Sequence, residues 1–321
     1  MSEQINLVAV LPDELGGERC DQLAVRLFPR YSRSRLQTWI RTGALTVDGA
    51  RVRPRDRLRG GETLKLEAIL EETGQWLPEK MPLDILYEDE HLLIVNKPES
   101  LVVHPAAGHW QGTLLNGLLW HCPALACLPR AGIVHRLDQD TTGLMVVAKN
   151  LQAQNSLSEQ LRKRSLYRNY EAVAMGNLTT GGCVDQPVGR HPVHRLKMAV
   201  VAAGKPAVTH YAVLRDFRAH THLSLNLQTG RTHQIRVHMQ HLGHPLVGDA
   251  LYTGSPRIPR EATPELKKVL QGFGRQALHA RRLGLLHPAT GDEMRWEAPL
   301  PADFAGLLAG LETDRQQAMQ E

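Results

Sequence analysis

The sequence predicts an α+β fold in two units, a small basic N-terminal unit and a larger strand-rich one with a mixed sheet. Three observations carry that prediction. The chain has 321 residues, about twice a typical domain. Its apolar runs are short and strand-like, and they alternate with stretches of helical period. Its charge is laid out in blocks. Between Arg26 and Arg59 ten arginines face two acids, Asp48 and Asp56; Glu62 to Glu99 holds ten acids and three lysines; Gln186 to Gly248 holds eight basic residues and one acid, Asp216. The total, 38 Lys+Arg against 33 Asp+Glu for a net +5, hides this asymmetry. Two basic blocks around an acidic connector read either as solvated faces or as two surfaces gripping one polyanion.

The elements follow in order. Asp21 to Phe28 is a short apolar-periodic stretch that stops before Pro29. Ser32 or Ser34 then caps a second helix with Leu36, Trp39 and Ile40 on one face. Gly43 ends it, Leu45-Thr46-Val47 is a strand, Asp48-Gly49 a hairpin turn, and Glu62 to Leu66 a period-2 strand. The polar stretch Glu71 to Lys80 separates the units, giving 15–75, 76–310 and a C-terminal tail 311–321. Beyond it, Ile85–Tyr87, Leu92–Asn96, Gly143–Lys149, Tyr170–Gly176, Val208–Leu214 and Leu223–Leu227 are predicted strands. Helical patterns lie at Leu114–His121, Ala153–Arg164 and His233–His241.

Hydrophobic residues make up 42% and charged residues 22%, a folded profile that excludes disorder and a disulfide scaffold. The longest apolar runs, such as Leu92 to Val95, are too short for a bilayer, and Met1 to Val10 lacks the marks of an export signal. Cys20, Cys122, Cys127 and Cys183 form no C-x-x-C pair, which suits reduced thiols and a cytoplasmic protein. His233, His238, His241 and His244 lack a recognised ligand spacing, so packing or RNA contact is expected of them and no metal.

The chemistry-bearing segment is Gly132 to Met145, with His135, Arg136, Leu137, Asp138 and Asp140 just before a buried strand. From the residues alone, Asp138 is a nucleophile or base beside a cation, or else a turn carboxylate like Asp140.

Two resemblances sharpen this. Arg19, Asp21 and Leu23, then Ser32-Arg33-Ser34-Arg35, then Ile40 to Gly49 resemble the S4 RNA-binding domain, with Cys20 where a Leu is usual and Gly60-Gly61-Glu62 in place of Gly-Asp. Such domains grip structured RNA by shape and backbone. The segment around Asp138 resembles the catalytic motif of the pseudouridine synthases that pair an S4 domain with an rRNA-modifying domain. Asn96-Lys97-Pro98, Val103-His104-Pro105, Tyr167 to Val173, Thr229 to His238, Gly243 to Asp249 and Leu278-His279-Ala280 match in order, over about residues 15 to 305. Glu99-Ser100 departs, where a Gly is usual.

The resemblance implies a mixed, mainly antiparallel sheet with a central cleft in the larger unit, and isomerisation of specific uridines in 23S ribosomal RNA, free or in a pre-50S particle, by a monomeric cytoplasmic enzyme with no cofactor, no metal and no membrane partner. It implies that Asp138 is the catalytic carboxylate, acting on C1′, as an eliminating base or on the ring; that Arg236 is its ion-pair partner; and that Tyr170 stacks on uracil. Arg136 fills the space of the flipped base, and Arg33, Arg35, Arg231 and Lys97 contact RNA. His135 and Tyr167 are structural. The rival readings are a non-catalytic RNA-binding assembly factor, a carboxylate-pair hydrolase using Asp138 and Asp140, and a metal-dependent nuclease.

Overall fold

The structure is a computed structural model that describes residues 3–29, 31, 33–70, 76–105, 109–254 and 258–320. It divides into two units, Met1–Gln75 and Trp76–Glu321.

In the first unit, β1 (Glu3–Val10), α1 (Cys20–Leu27), α2 (Arg33–Thr42), β2 (Leu45–Val47) and β3 (Thr63–Leu70) form two helices on a small antiparallel sheet of order β1-β3-β2. The unit therefore starts well before residue 15. The sequence reading missed β1 because it is an edge strand whose Val8 and Val10 face water and blur its alternation. Leu36, Trp39 and Ile40 are buried together as their spacing predicts, over Leu23, Leu45, Leu64 and Leu66. Each such leucine contributes roughly 2 kcal/mol of burial. Ser34 lies inside α2, past the cap position, and Ser32 is outside the described residues. Asp48 and Gly49 both take positive φ, 48° and 76°, as a tight hairpin requires.

The second unit begins with β4 (Ile85–Glu88), β5 (Leu92–Lys97), α3 (Leu114–His121), β6 (Thr142–Ala148), α4 (Leu151–Lys163) and β7 (Tyr167–Met175). It continues with β8 (Gly182–Asp185), β9 (Val188–Arg190), β10 (Met198–Val200), β11 (Val208–Asp216), β12 (His220–Leu227), α5 (Gln234–His241) and α6 (Ala250–Thr253). It closes with α7 (Pro264–Gly272), β13 (Leu278–Leu286), β14 (Glu293–Glu297) and α8 (Ala302–Ala318). The described strands make a nine-stranded sheet of order β4-β5-β6-β13-β7-β12-β11-β8, with β14 on β13, and β9 pairs with β10 apart from it. The pairings within the large sheet are antiparallel except β6 with β13.

β6 is buried along its whole length because the sheet is covered on both faces. Met145 and Val147 pack with Leu115 and Leu118 of α3, while Leu144 and Val146 pack with Ala153 and Leu157 of α4. Thr113 closes a capping box with Asn116 at the start of α3, and Asn150 caps α4 through the Ala153 amide at 2.8 Å. That cap starts α4 two residues before the periodicity does. The last helix corrects the expectation of a tail from 311: α8 runs to Ala318, and Leu311 joins Phe304 and Leu307 against Leu266 and Leu270 of α7. Glu99-Ser100 still makes its turn, with Ser100 at φ 58° where glycine would be unstrained.

Candidate active site

The segment before β6 is a loop held at many points. Arg130, Ala131 and Gly132 all take positive φ (53°, 51° and 77°), and a Cβ on Gly132 would fall 1.9 Å from the Ala148 carbonyl oxygen, so the turn packs its backbone directly on β6. His135 is half-buried and accepts the Val146 amide through Nε2 at 3.1 Å; desolvation, helped by the charge of Arg168, lowers its pKa to about 3. It holds the loop as a neutral ring, the structural part expected of it. The Asp140 carbonyl receives Arg275 at 3.3 Å, Thr141 receives Gln276 at 3.0 Å, and Thr142 pairs with His279 at 2.8 Å.

Lys97 belongs to this anchoring. Its ammonium donates to the carbonyls of Pro98, Leu101 and Gln139 at 2.7, 2.9 and 2.7 Å, and the side chain is fully buried. Burial lowers its pKa to about 8. The expected RNA contact is therefore corrected: Lys97 ties the end of β5 to the loop that carries Asp138, and no part of it reaches solvent.

Asp138 meets Arg236 on α5. Arg236 gives Nη1 to Asp138 Oδ2 at 3.0 Å, and gives Nε and Nη2 to the two oxygens of Asp249 at 2.7 and 2.8 Å. Asp249 in turn caps α6, accepting the Tyr252 amide at 3.2 Å, and the Tyr252 ring lies under the Arg236 guanidinium at 5.0 Å. Burial disfavours the Arg236 charge, but the Asp249 hydrogen bonds and both carboxylates outweigh it and raise the arginine's pKa. The guanidinium is thus fixed from behind and offers one N–H forward. Asp138 takes that bond on Oδ2, and among the described residues no donor reaches Oδ1.

His233, expected from its spacing to pack or to contact RNA, caps α5 at φ 56° and brings Nε2 within 4.0 Å of Asp138 Oδ2. Its Nδ1 lies 2.8 Å from the Tyr252 hydroxyl, which already accepts the Met198 amide at 2.9 Å. With the hydroxyl as donor to Nδ1, the ring proton sits on Nε2, on the side of Asp138. Burial lowers the His233 pKa, which favours the neutral ring. His238 and His244 are packed away, on Thr209 and on the Met175 carbonyl.

Asp138, His233 and Arg236 line a cavity of about 790 Å³ together with His104, Arg136, Arg168, Tyr170 and Arg231. Tyr170 is 6% exposed, and burial raises its phenol pKa. Arg136 is exposed at the rim, without a partner among the described residues. Arg231, which lines the cavity, donates Nε to the Pro206 carbonyl at 3.1 Å. Arg130, Arg162 and Arg164 add further positive charge that block counting along the sequence did not pick out. Arg33 and Arg35 belong to the other unit: Arg33 is half-exposed and tied to Asp21 at 2.8 Å, and Arg35 lies over the Trp39 ring at 6.0 Å. Among the described residues no three His, Cys, Asp or Glu side chains gather as a metal would need, and no helix is long and apolar enough to cross a membrane.

A carboxylate held on one oxygen, an aromatic wall and a rim of arginines suit attack on a sugar or base within a polyanion. Comparison with known proteins points the same way. Residues 91–241 match the RNA pseudouridylate synthase family and residues 18–64 the S4 domain. The chain is 60% identical over 316 residues to the ribosomal large subunit pseudouridine synthase D of Pseudomonas aeruginosa, covering 98% of this chain and 99% of that one. It is 50% identical over 322 residues to the protein of the same name from Escherichia coli, covering 100% and 99%. Among solved structures it is similar to human RNA pseudouridylate synthase domain containing 4, with a TM-score of 0.56 and 29% identity over 71% of this chain and 92% of the other.

Proposed function

The chain belongs to the RNA pseudouridylate synthase family, and on that premise we propose that it converts specific uridines of 23S ribosomal RNA to pseudouridine with Asp138 as the catalytic carboxylate. The observation that carries this reading is the shared guanidinium: Arg236 is bound twice by Asp249 and once by Asp138, which lines the cavity and keeps Oδ1 without a donor among the described residues.

The reaction breaks the N1–C1′ bond, turns the uracil and joins C5 to C1′. The uridine leaves its stack first, and Arg136 at the rim takes the vacated place with its flat guanidinium. Asp138 then attacks C1′ through Oδ1 or removes a sugar proton; both routes need a charged carboxylate, which Arg236 maintains in the closed pocket. Tyr170 stacks on the base and takes the C5 proton once the new bond makes it acidic. Its raised pKa means that the phenol meets the substrate protonated, so it takes the C5 proton only after giving its own proton to the uracil anion, and the two transfers leave it as it began. Arg231 at the cavity, and Arg33 and Arg35 on the S4 domain, contact the RNA backbone. No redox step or group transfer to a second molecule occurs, so the reaction calls for no cofactor. The substrate is ribosomal RNA or a pre-50S particle, met in the cytoplasm by a monomer.

Asp138→Asn tests this. Tritium release from C5-labelled uridine in an rRNA transcript should vanish while RNA binding persists. Near-normal release by the variant overturns the catalytic assignment. If the unaltered protein releases no tritium, it is an RNA-binding assembly factor; free uracil would instead mark a hydrolase.

A further inference from the structure

Arg168 stands apart from the other buried arginines. Arg236 and Arg275 are 7% and 6% exposed, and each is neutralised by carboxylates, Asp249 and Asp138 for one, Asp303 and Glu99 for the other. Arg168 is 8% exposed, yet among the described residues no carboxylate pairs with it. Its Nη2 reaches only the Leu227 carbonyl at 3.5 Å, at the limit of a hydrogen bond, and its Nε has no partner. A buried cation left unpaired costs several kcal/mol in general, so a fold that keeps one is set to receive a negative group there.

The position says which negative group. Arg168 and Tyr170 are two residues apart on β7, so both side chains leave the same face of the strand, roughly 7 Å apart. Both line the cavity that holds Asp138. At Gly230 a Cβ would lie 2.8 Å from Arg168 Nη1, so the guanidinium tip fills the space that glycine leaves in the cavity wall. A uracil stacked on Tyr170 would present its edge to this cation.

We propose that Arg168 is a catalytic residue that holds an anionic oxygen of the detached uracil; the proposal rests on the reading of Asp138 given above. When the N1–C1′ bond breaks, its electron pair leaves with the ring. The charge spreads from N1 to O2 and O4, and density also builds at C5. A guanidinium N–H on either oxygen stabilises this anion while the ring turns. C5 then bonds to C1′, the electrons that held Asp138 to C1′ return to the carboxylate (or the sugar double bond takes back its proton), the C5 proton goes to a base, and N1 gains a proton. Nothing is added or lost overall.

The test uses Arg168→Met and Arg168→Lys in the full-length protein with an unmodified large-subunit rRNA transcript. Single-turnover pseudouridine formation, RNA affinity and thermal midpoint are measured together, with Asp138→Asn alongside. Arg168→Met should slow the single-turnover rate by about 10²-fold, as loss of one oxyanion donor does elsewhere. Its RNA affinity should stay unchanged and its thermal midpoint should hold or rise, because an unpaired buried charge is removed. Arg168→Lys should recover part of the rate. Weakened RNA affinity with an unchanged single-turnover rate would make Arg168 a phosphate contact and overturn the proposal. So would a fallen midpoint with the rate intact per folded molecule, or no change at all. An active Asp138→Asn would sink the underlying reading; an inactive Asp138→Asn beside a full-speed Arg168→Met would sink only this inference.

Discussion

Each unit contains an aspartate set against arginine, and the two are treated in opposite ways. Asp21 in α1 is fully buried and saturated: Arg19 holds it at 2.9 and 3.0 Å, Arg33 at 2.8 and 3.2 Å, and Gln37 at 2.6 Å. Burial alone would raise its pKa, but the hydrogen bonds from Gln37, Arg33 and Arg19 outweigh that and lower it. In the second unit the ratio is inverted. One arginine serves two carboxylates, Asp249 takes two of its three bonds, and Asp138 is left with a single hydrogen bond and an open oxygen. A carboxylate with both oxygens bonded is a fastener. One whose charge is supported but whose oxygen is free is a reagent.

Three substitutions break or sharpen that contrast, beyond those given above. Asp21→Asn should have the largest effect: it leaves Arg19 and Arg33 facing a neutral amide and should cost the first unit about 3 kcal/mol. Hydrogen exchange of the α1 and α2 amides in the full chain reads this, with pseudouridine chemistry at saturating RNA untouched. Unchanged exchange would show that saturation is not what fastens Asp21. Asp249→Asn should be next. It frees the rear of Arg236 and should slow single-turnover catalysis about 10²-fold, near 2.7 kcal/mol, with RNA affinity preserved. If affinity falls and the rate does not, Arg236 is a phosphate contact and the inverted ratio has no catalytic meaning. The smallest effect should come from Asp89, a third carboxylate and a fastener like Asp21. It accepts the His91 and Leu92 amides at 2.7 and 2.8 Å, with Tyr87 and His287 each at 2.9 Å. Burial opposes its ionisation, but those bonds lower its pKa to about 2. Its unfolded value is higher, so its contribution is full above about pH 4 and fades as pH falls toward 2. The stability gap between wild type and Asp89→Asn, measured by urea denaturation, should be widest at neutral pH and close through that window; a gap that is constant with pH would refute the assignment.

Much of this was legible in the chain. α3 lies at Leu114–His121 as periodicity predicts, and the six predicted strands overlap observed ones because alternation and β-branched runs report directly on buried strands. The motif order also brought Asp138, Tyr170, Arg136, Arg231 and Arg236 to one cavity. What escaped was set by tertiary context. Lys97 looks like any surface lysine until three carbonyls converge on it. His233 became part of the site through Tyr252, nineteen residues on. Arg168 is conspicuous only by what does not pair with it. β13 carries Arg281 and Arg282 in its middle and shows no clean alternation, although it lies at the heart of the sheet.

That central strand has one more consequence. β6 follows directly on the Asp138 loop, and beside it Thr142 and Gly143 align in parallel with His279 and Ala280. A Cβ on Gly143 would fall 2.3 Å from the Ala280 carbonyl oxygen, so the fit is close. During synthesis the chain is made from its N-terminus at about 5–20 residues per second. The loop bearing Asp138 therefore emerges well before the strand that must lie against its exit. Until β13 arrives, β6 has an open edge and Arg275 cannot reach the Asp140 carbonyl. The catalytic loop is thus among the last parts of the nascent chain to set, and a half-made polypeptide carries the reagent without the frame that arms it.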